Sequence, residues 1–164
     1  MALTDYTTFD DVRAALGVSS EELEDATLSL DVYGFSLLAE LEEMTPSPLD
    51  AYLAIKDSDL ETLGTNESRF FRATRLFATY SIARQLLPSL PMLAPKELSD
   101  GKATMVRFPS DPYKETGKRV ESQYETAKNR LRDAFSALSA TTSASQYRTY
   151  FTTVASSSDP VTGT

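Results

Sequence analysis

Arg69, Arg72 and Arg75 follow one another at intervals of three, a spacing that lays three guanidinium groups along one flank of a helix. Such a row pairs with carboxylates or with phosphate. A second set of bases, Lys114, Lys118, Arg119, Lys128, Arg130 and Arg132, comes later in the chain. It is interleaved with Glu115, Glu121, Glu125 and Asp133, which largely cancel its field. A duplex reader concentrates its basic residues to offset phosphate charge. This chain disperses most of them and carries a net charge of −8, so sequence-specific DNA binding is not expected. Ion pairing of the three arginines with the acidic N-terminal half is the preferred reading.

Reactive groups are sparse. Cysteine, histidine and tryptophan are absent, which removes disulfides, thiolate nucleophiles, zinc–thiolate sites and the commonest general base. The acidic pairs Asp10/Asp11, Glu21/Glu22 and Glu42/Glu43 are adjacent in sequence, and helix neighbours point about 100° apart, so these carboxylates do not converge on one substrate. A serine nucleophile would need a lysine partner, and no Ser/Lys spacing stands out. The six glycines are scattered and match neither the phosphate-loop nor the dinucleotide pattern. No catalytic residue, metal ligand or cofactor is expected, and the chain reads as a non-enzyme.

The elements that carry these residues read as helices. Thr8 is placed to cap a first helix with Asp10 and Asp11 in its opening turn, Val12, Ala15 and Leu16 on its apolar face, and Gly17 at its end. Ser19 and Glu22 form a capping-box pattern. A longer helix is predicted from Asp25 through Glu43, with Leu30, Tyr33, Leu37, Leu38, Leu41 and Met44 as its apolar positions, stopped by Thr45-Pro46-Ser47-Pro48. A brief helix follows over Leu49 to Ile55. Thr65 or Asn66 caps the next, which runs to about Leu87 and is apolar over most of its girth, polar only through Arg69, Arg72 and Thr79 beside Arg75. That helix belongs at the centre of a bundle.

Pro88, Pro91, Pro95 and Pro109 argue against helix over 88–111, and Lys102 to Phe108 suits an extended segment or a β-arm. Asp111-Pro112 marks a firm helix start. Tyr113, Gly117, Val120, Tyr124, Ala127, Leu131, Ala134 and Leu138 then follow 4-3-4-3 spacing, the seam of a helix about 40 Å long over 112–139. Its Gly and Ala positions suit a close-packed bundle contact. From 140 to 164 the chain is rich in Ser, Thr and Ala, with Tyr147, Tyr150, Phe151 and Val154 interrupting the polar background. This composition predicts a tail that docks on a partner as an extended strand or short helix, the alternative being a tail packed on its own domain or unattached. The chain thus divides into a helical domain, 1–139, with an extended loop or arm at 88–111, and a docking tail, 140–164. The fold class is all-α: a helical bundle with one long C-terminal helix, an extended inter-helix loop and a flexible C-terminal tail.

Charge divides the chain differently. Residues 1–64 hold fifteen acids against two bases, Arg13 and Lys56, and the remaining residues hold nine acids against fourteen bases. A split of −13 and +5 suggests complementary faces, meeting within one subunit or between neighbours. No apolar run approaches the roughly 18 residues of a membrane span, and the opening Met-Ala-Leu-Thr-Asp lacks the features of a signal peptide. A cytosolic or particle-bound location is expected, with no membrane partner.

The opening Phe9-Asp10-Asp11-Val12-Arg13-Ala14-Ala15-Leu16-Gly17-Val18, followed by Ser20-Glu21-Glu22-Leu23-Glu24-Asp25-Ala26-Thr27-Leu28, resembles the start of head–tail adaptor (connector, or head completion) proteins of tailed bacteriophages. The stretch Ala94 to Lys102 and on through Phe108, set between two long helices, is similar to the extended inter-helix loop of that family. The resemblance covers residues 9–139 in outline. It implies a structural virion protein of the neck, made in the host cytoplasm, that assembles with itself as a ring of twelve copies under the portal. Such a ring extends the channel through which double-stranded DNA passes without sequence-specific binding, and receives the tail or the next neck protein. Carried to this chain, the portal anchor is the segment with Tyr147, Arg148, Tyr150, Phe151 and Val154, and Arg69, Arg72, Arg75, Lys102 and Arg107 are subunit contacts. The length of the aromatic tail departs from the shortest family members. The rival reading is a helical binding module, regulatory or chaperone, acting through the same tail.

Overall fold

A computed structural model describes residues 3–90, the two strand segments 97–99 and 104–106, and the helix 112–154, with side chains described over 3–90 and 113–141. Six α-helices make up most of it: α1 (Phe9–Leu16), α2 (Asp25–Leu28), α3 (Asp31–Glu43), α4 (Leu49–Ile55), α5 (Thr65–Leu86) and α6 (Pro112–Val154). A short antiparallel ladder, β1 (Glu97–Ser99) with β2 (Thr104–Val106), pairs Leu98 with Met105. The region between α5 and α6 therefore contains a β-arm. The all-α class holds for the body.

Local chemistry sets the ends of α1. Thr8 Oγ1 accepts the Asp11 N–H at 3.1 Å, and Gly17, in the left-handed region at φ 75°, donates its N–H to the Arg13 carbonyl at 2.8 Å. A side chain at that φ is strained, which is why glycine stands there. Ser19 and Glu22 close a turn, Ser19 N–H donating to Glu22 Oε2 at 2.8 Å. Arg13 gathers this end of the molecule. Its Nε donates to the Leu23 carbonyl at 2.8 Å, its Nη1 to Asp10 at 3.0 Å, and its Nη2 to Asp25. The hydrogen bond to Asp25, more than that to Asp10, holds the guanidinium above its ordinary pKa. One buried cation thus joins α1, the 19–23 turn and α2.

The core lies where α5 meets α6. Phe70, Phe77, Ala78, Ile82, Ala83 and Leu86 of α5 are buried together with Val120, Tyr124, Ala127, Leu131 and Ala134 of α6. The α6 residues are the 4-3-4-3 stripe read from the sequence, and they form core within the chain. Burying each large apolar side chain contributes about 1.5–3 kcal/mol. The rings of Phe77 and Tyr124 lie 5.5 Å apart at 37°, and those of Phe70 and Phe135 lie 5.6 Å apart. The α5–α6 pair is antiparallel, since Asn66 Nδ2 reaches Thr141 Oγ1 at 2.7 Å while Arg84 pairs with Glu121 at 2.9 Å. Leu37 and Leu41 of α3 complete the core on one side. On another, Tyr6 stacks on Tyr52 at 5.0 Å and Tyr52 on Phe71 at 5.7 Å, with the Tyr52 hydroxyl donating to the Asp5 carbonyl at 2.8 Å. That stack seats the first turn of the chain and α4 against α5.

Four expectations are corrected. The helix expected over Asp25 to Glu43 is broken after Leu28, because Leu30 takes an extended conformation (φ −63°, ψ 130°) and starts α3 afresh. Leu30 is consequently 53% exposed and no part of the core. Gly64, in place of Thr65 or Asn66, is the N-cap of α5, and its N–H donates to Glu67 Oε2 at 2.8 Å. Thr79, placed on the polar stripe of α5, is buried. Its hydroxyl bonds the Arg75 carbonyl at 3.0 Å and meets the Thr7 hydroxyl at 2.6 Å. The last helix continues to Val154, where the sequence reading ended it at 139. Ser139 and Thr141 return their hydroxyls to the carbonyls of Phe135 and Ala137, which lets Ser and Thr sit inside a helix without competing for its ladder.

Candidate functional site

The arginine row lies on the α5 flank turned away from α3. Arg69 and Arg72 are exposed and Arg75 is half-buried, its guanidinium 5.9 Å above the Phe71 ring. Two clefts open along this flank. The first, about 600 Å³, is lined by Thr65, Ser68, Arg69, Arg72, Ala73, Leu76 and, from α6, Arg130. The second, about 450 Å³, is lined by Asp11, Ala14, Ala15, Leu60, Phe71, Arg72, Arg75, Leu76, Thr79 and Tyr80. They share Arg72 and Leu76, so one groove follows α5 from its first turn to Tyr80. At 1.5 Å per residue that run is about 22 Å long. Four arginines and one carboxylate, Asp11, line the two clefts, over an apolar floor of Ala73, Leu76 and Phe71.

The acids of the N-terminal part do not neutralise this groove. Ion pairs among the described residues join Arg13 to Asp10 and Asp25, Lys56 to Asp57, and Arg84 to Glu121. None of them joins residues 1–64 to the bases that follow. Among the described residues, Arg69, Arg72 and Arg75 therefore lack the ion pairs to the acidic N-terminal half expected for them. Geometry explains this: among the described residues Asp11 is the one acid that lines the groove, and the other acids of α1 to α3 are not part of its walls.

The opposite side of α5 carries a buried polar node. Glu40 Oε2 of α3 accepts from Ser81 Oγ at 2.9 Å and from the Tyr124 hydroxyl at 3.3 Å, tying α3, α5 and α6 together. Burial, and then the Glu40 carboxylate, push the Tyr124 hydroxyl up to about 12. Arg84 lies over the same ring at 4.6 Å and Lys128 at 5.6 Å. Ser81 lies nine residues beyond Arg72, half a turn around the axis at about 100° per residue. The groove and α3 are thus on opposite sides of α5.

The outer face of α3 is the feature that sequence reasoning missed. Val32 is 59% and Phe35 63% exposed, and with exposed Ala39, Glu42 and Glu43 they occupy one stripe at helical spacing. Leu30, just before the helix, extends the apolar end. The signal was present, since 32, 35, 39 and 42 alternate by three and four, but the buried set 37, 41 and 44 read more strongly. Of the other sequence-selected residues, Tyr147, Arg148, Tyr150, Phe151 and Val154 fall on the part of α6 beyond Thr141. Positions 147, 150, 151 and 154 have the i, i+3, i+4, i+7 spacing of one helix face. Lys102 and Arg107 lie outside the described residues.

Among the described residues no three acids gather as metal ligands, and no helix is long and apolar enough to cross a membrane. The described surface carries a cationic groove with an apolar floor and an acidic helix face with apolar knobs. Comparison with protein families, with curated proteins and with solved structures returns no match for this chain.

Proposed function

We propose that this chain is a structural adaptor of a tailed-bacteriophage neck, a ring-forming protein beneath the portal that joins head to tail and lengthens the DNA channel. The observation that carries the reading is α6, a single helix of 43 residues and about 64 Å. It supplies the body's core seam and then continues past the first turn of α5, taking positions 147–154 with it. A rod rooted in the core and ending in a face of aromatic positions suits a protein that must hold its partner at a fixed distance. The resemblance at residues 9–28 and in the inter-helix arm supports the same assignment. The acidic N-terminal part suits a channel past which a duplex slides without sticking.

The partner of the distal α6 segment is then the portal, and that of the opposite end is the tail or the next neck protein. Deleting residues 140–164 tests the reading. The truncated chain should lose only the helical signal of residues 140–154 and keep its melting temperature, yet no longer cosediment with portal-bearing heads. Quantitative mass spectrometry of purified particles should find the full chain in several copies per particle. Absence of the chain from particles, or full-strength head binding by the truncated form, would sink the assignment.

A further inference from the structure

We propose that the α5 groove and the outer face of α3 are two halves of one head-to-tail junction, so that the α3 face of one copy seats in the groove of a second copy. The inference names the contact inside the proposed ring and rests on that reading for its setting, though not for its chemistry.

Complementarity carries it. The groove is lined by Arg69, Arg72, Arg75 and Arg130 over an apolar floor, with no ion pair to any of them among the described residues. Segment 30–43 exposes Asp31, Glu42 and Glu43 and holds no base, Glu40 being turned inward to Ser81 and Tyr124, and its exposed stripe sets Val32 and Phe35 before the glutamates. From Val32 to Glu43 the stripe is about 16 Å long, within the groove's roughly 22 Å. Apolar residues beside charge on each side match the way an amphipathic helix lies in a groove. Glu42 and Glu43 answer the arginine row, and guanidinium–carboxylate pairs of this kind are directional.

Topology makes the contact polar. Knob and groove lie on opposite sides of α5, so a copy that fills its neighbour's groove leaves its own groove open for the next. An association of this type is heterologous and closes as a ring or runs on as a filament. A nucleic acid would use the arginines but gains nothing from Phe35 and Val32, which leaves the second copy as the occupant that explains both surfaces.

Sedimentation velocity on the full chain tests this with two variants at exposed positions, Phe35→Asp and the double change Arg69→Glu with Arg72→Glu, each checked by circular dichroism for unchanged helicity. Wild type should associate at low ionic strength and dissociate in ~1 M salt, where the screening length falls to about 3 Å. Each variant alone should be monomeric, with association weakened at least about tenfold per arginine. An equimolar mixture should form a dimer and nothing larger, because it retains one intact knob and one intact groove. Wild type that stays monomeric up to ~1 mM, or a mixture that does not dimerise, overturns the inference. So does binding of a short DNA duplex that is lost in the arginine variant while association is unchanged. A chain that associates as described but is missing from particles would remove the neck reading alone, and one found in particles yet failing the mixing test would remove this junction alone.

Discussion

Leu131 and Phe35 are both large and apolar on helices, and their environments assign them opposite fates. Leu131 is fully buried in the α5–α6 seam, whereas Phe35 is 63% exposed on α3. Leu131→Ala removes apolar carbon from a site walled by two helices held together along much of their length, so collapse around the gap is limited. Burial of this kind costs about 2–5 kcal/mol on truncation, the upper part of the range applying where the cavity persists. For a chain of 164 residues, each kcal/mol shifts the melting temperature by about 2–4 °C. A fall of roughly 4–20 °C is therefore expected for Leu131→Ala. Phe35→Ala gives up surface that is already wet and should stay within about 0.5 kcal/mol. Urea titrations followed at 222 nm, with equal slopes required before the midpoints are compared, measure both. Less than about 1 kcal/mol lost at Leu131 would mean that the seam is not the core, and a large loss at Phe35 would mean that its face is packed within the chain.

Three further outcomes follow from the same geometry. Burial pushes both Tyr52 and Tyr124 up to about 12, so the folded state keeps protons that the unfolded chain releases near the ordinary value of 10.0. Stability is then whole below pH 10 and declines as pH rises toward about 12, and Tyr124→Phe should flatten that decline in melting curves recorded across the interval. Gly17→Ala meets no obstacle nearer than Arg119 Nη2 at 3.8 Å, so its cost is conformational. About 1–2 kcal/mol is expected from placing a Cβ in the left-handed region, read from the same urea titrations. Ser81→Ala and Tyr124→Phe each remove a donor to Glu40. A double-mutant cycle should show coupling of about 0.5 kcal/mol or more, and strict additivity would dissolve the node.

Most of the helical architecture was legible because it rests on local rules. The Thr8 cap, the Gly17 stop, the proline-bounded α4 and the 4-3-4-3 stripe of α6 each follow from a few neighbouring residues. What escaped depends on distant partners. Leu30 has helical spacing with the α3 core, yet its backbone is extended, so its exposure could not be read from period alone. Tyr6 and Tyr52 are fully buried in an aromatic stack whose members are far apart in sequence. Thr79 looked solvent-facing until Thr7, seventy-two residues away, supplied its partner. The charge split was visible in composition, but whether it cancelled within the chain depended on where α1 to α3 placed their acids around α5.

The length of α6 turns counting residues into a setting of direction. Beyond Thr141 the helix runs for about 20 Å with its root fixed in the core, so its tip inherits an azimuth as well as a reach. Removing one residue between Thr141 and Tyr147 would withdraw the tip by about 1.5 Å and swing its aromatic positions through about 100°. Inserting seven there would advance it by about 10 Å while leaving the face nearly in phase, within about 20°. A partner that grips that face would tolerate the second change far better than the first, although the second alters the reach more.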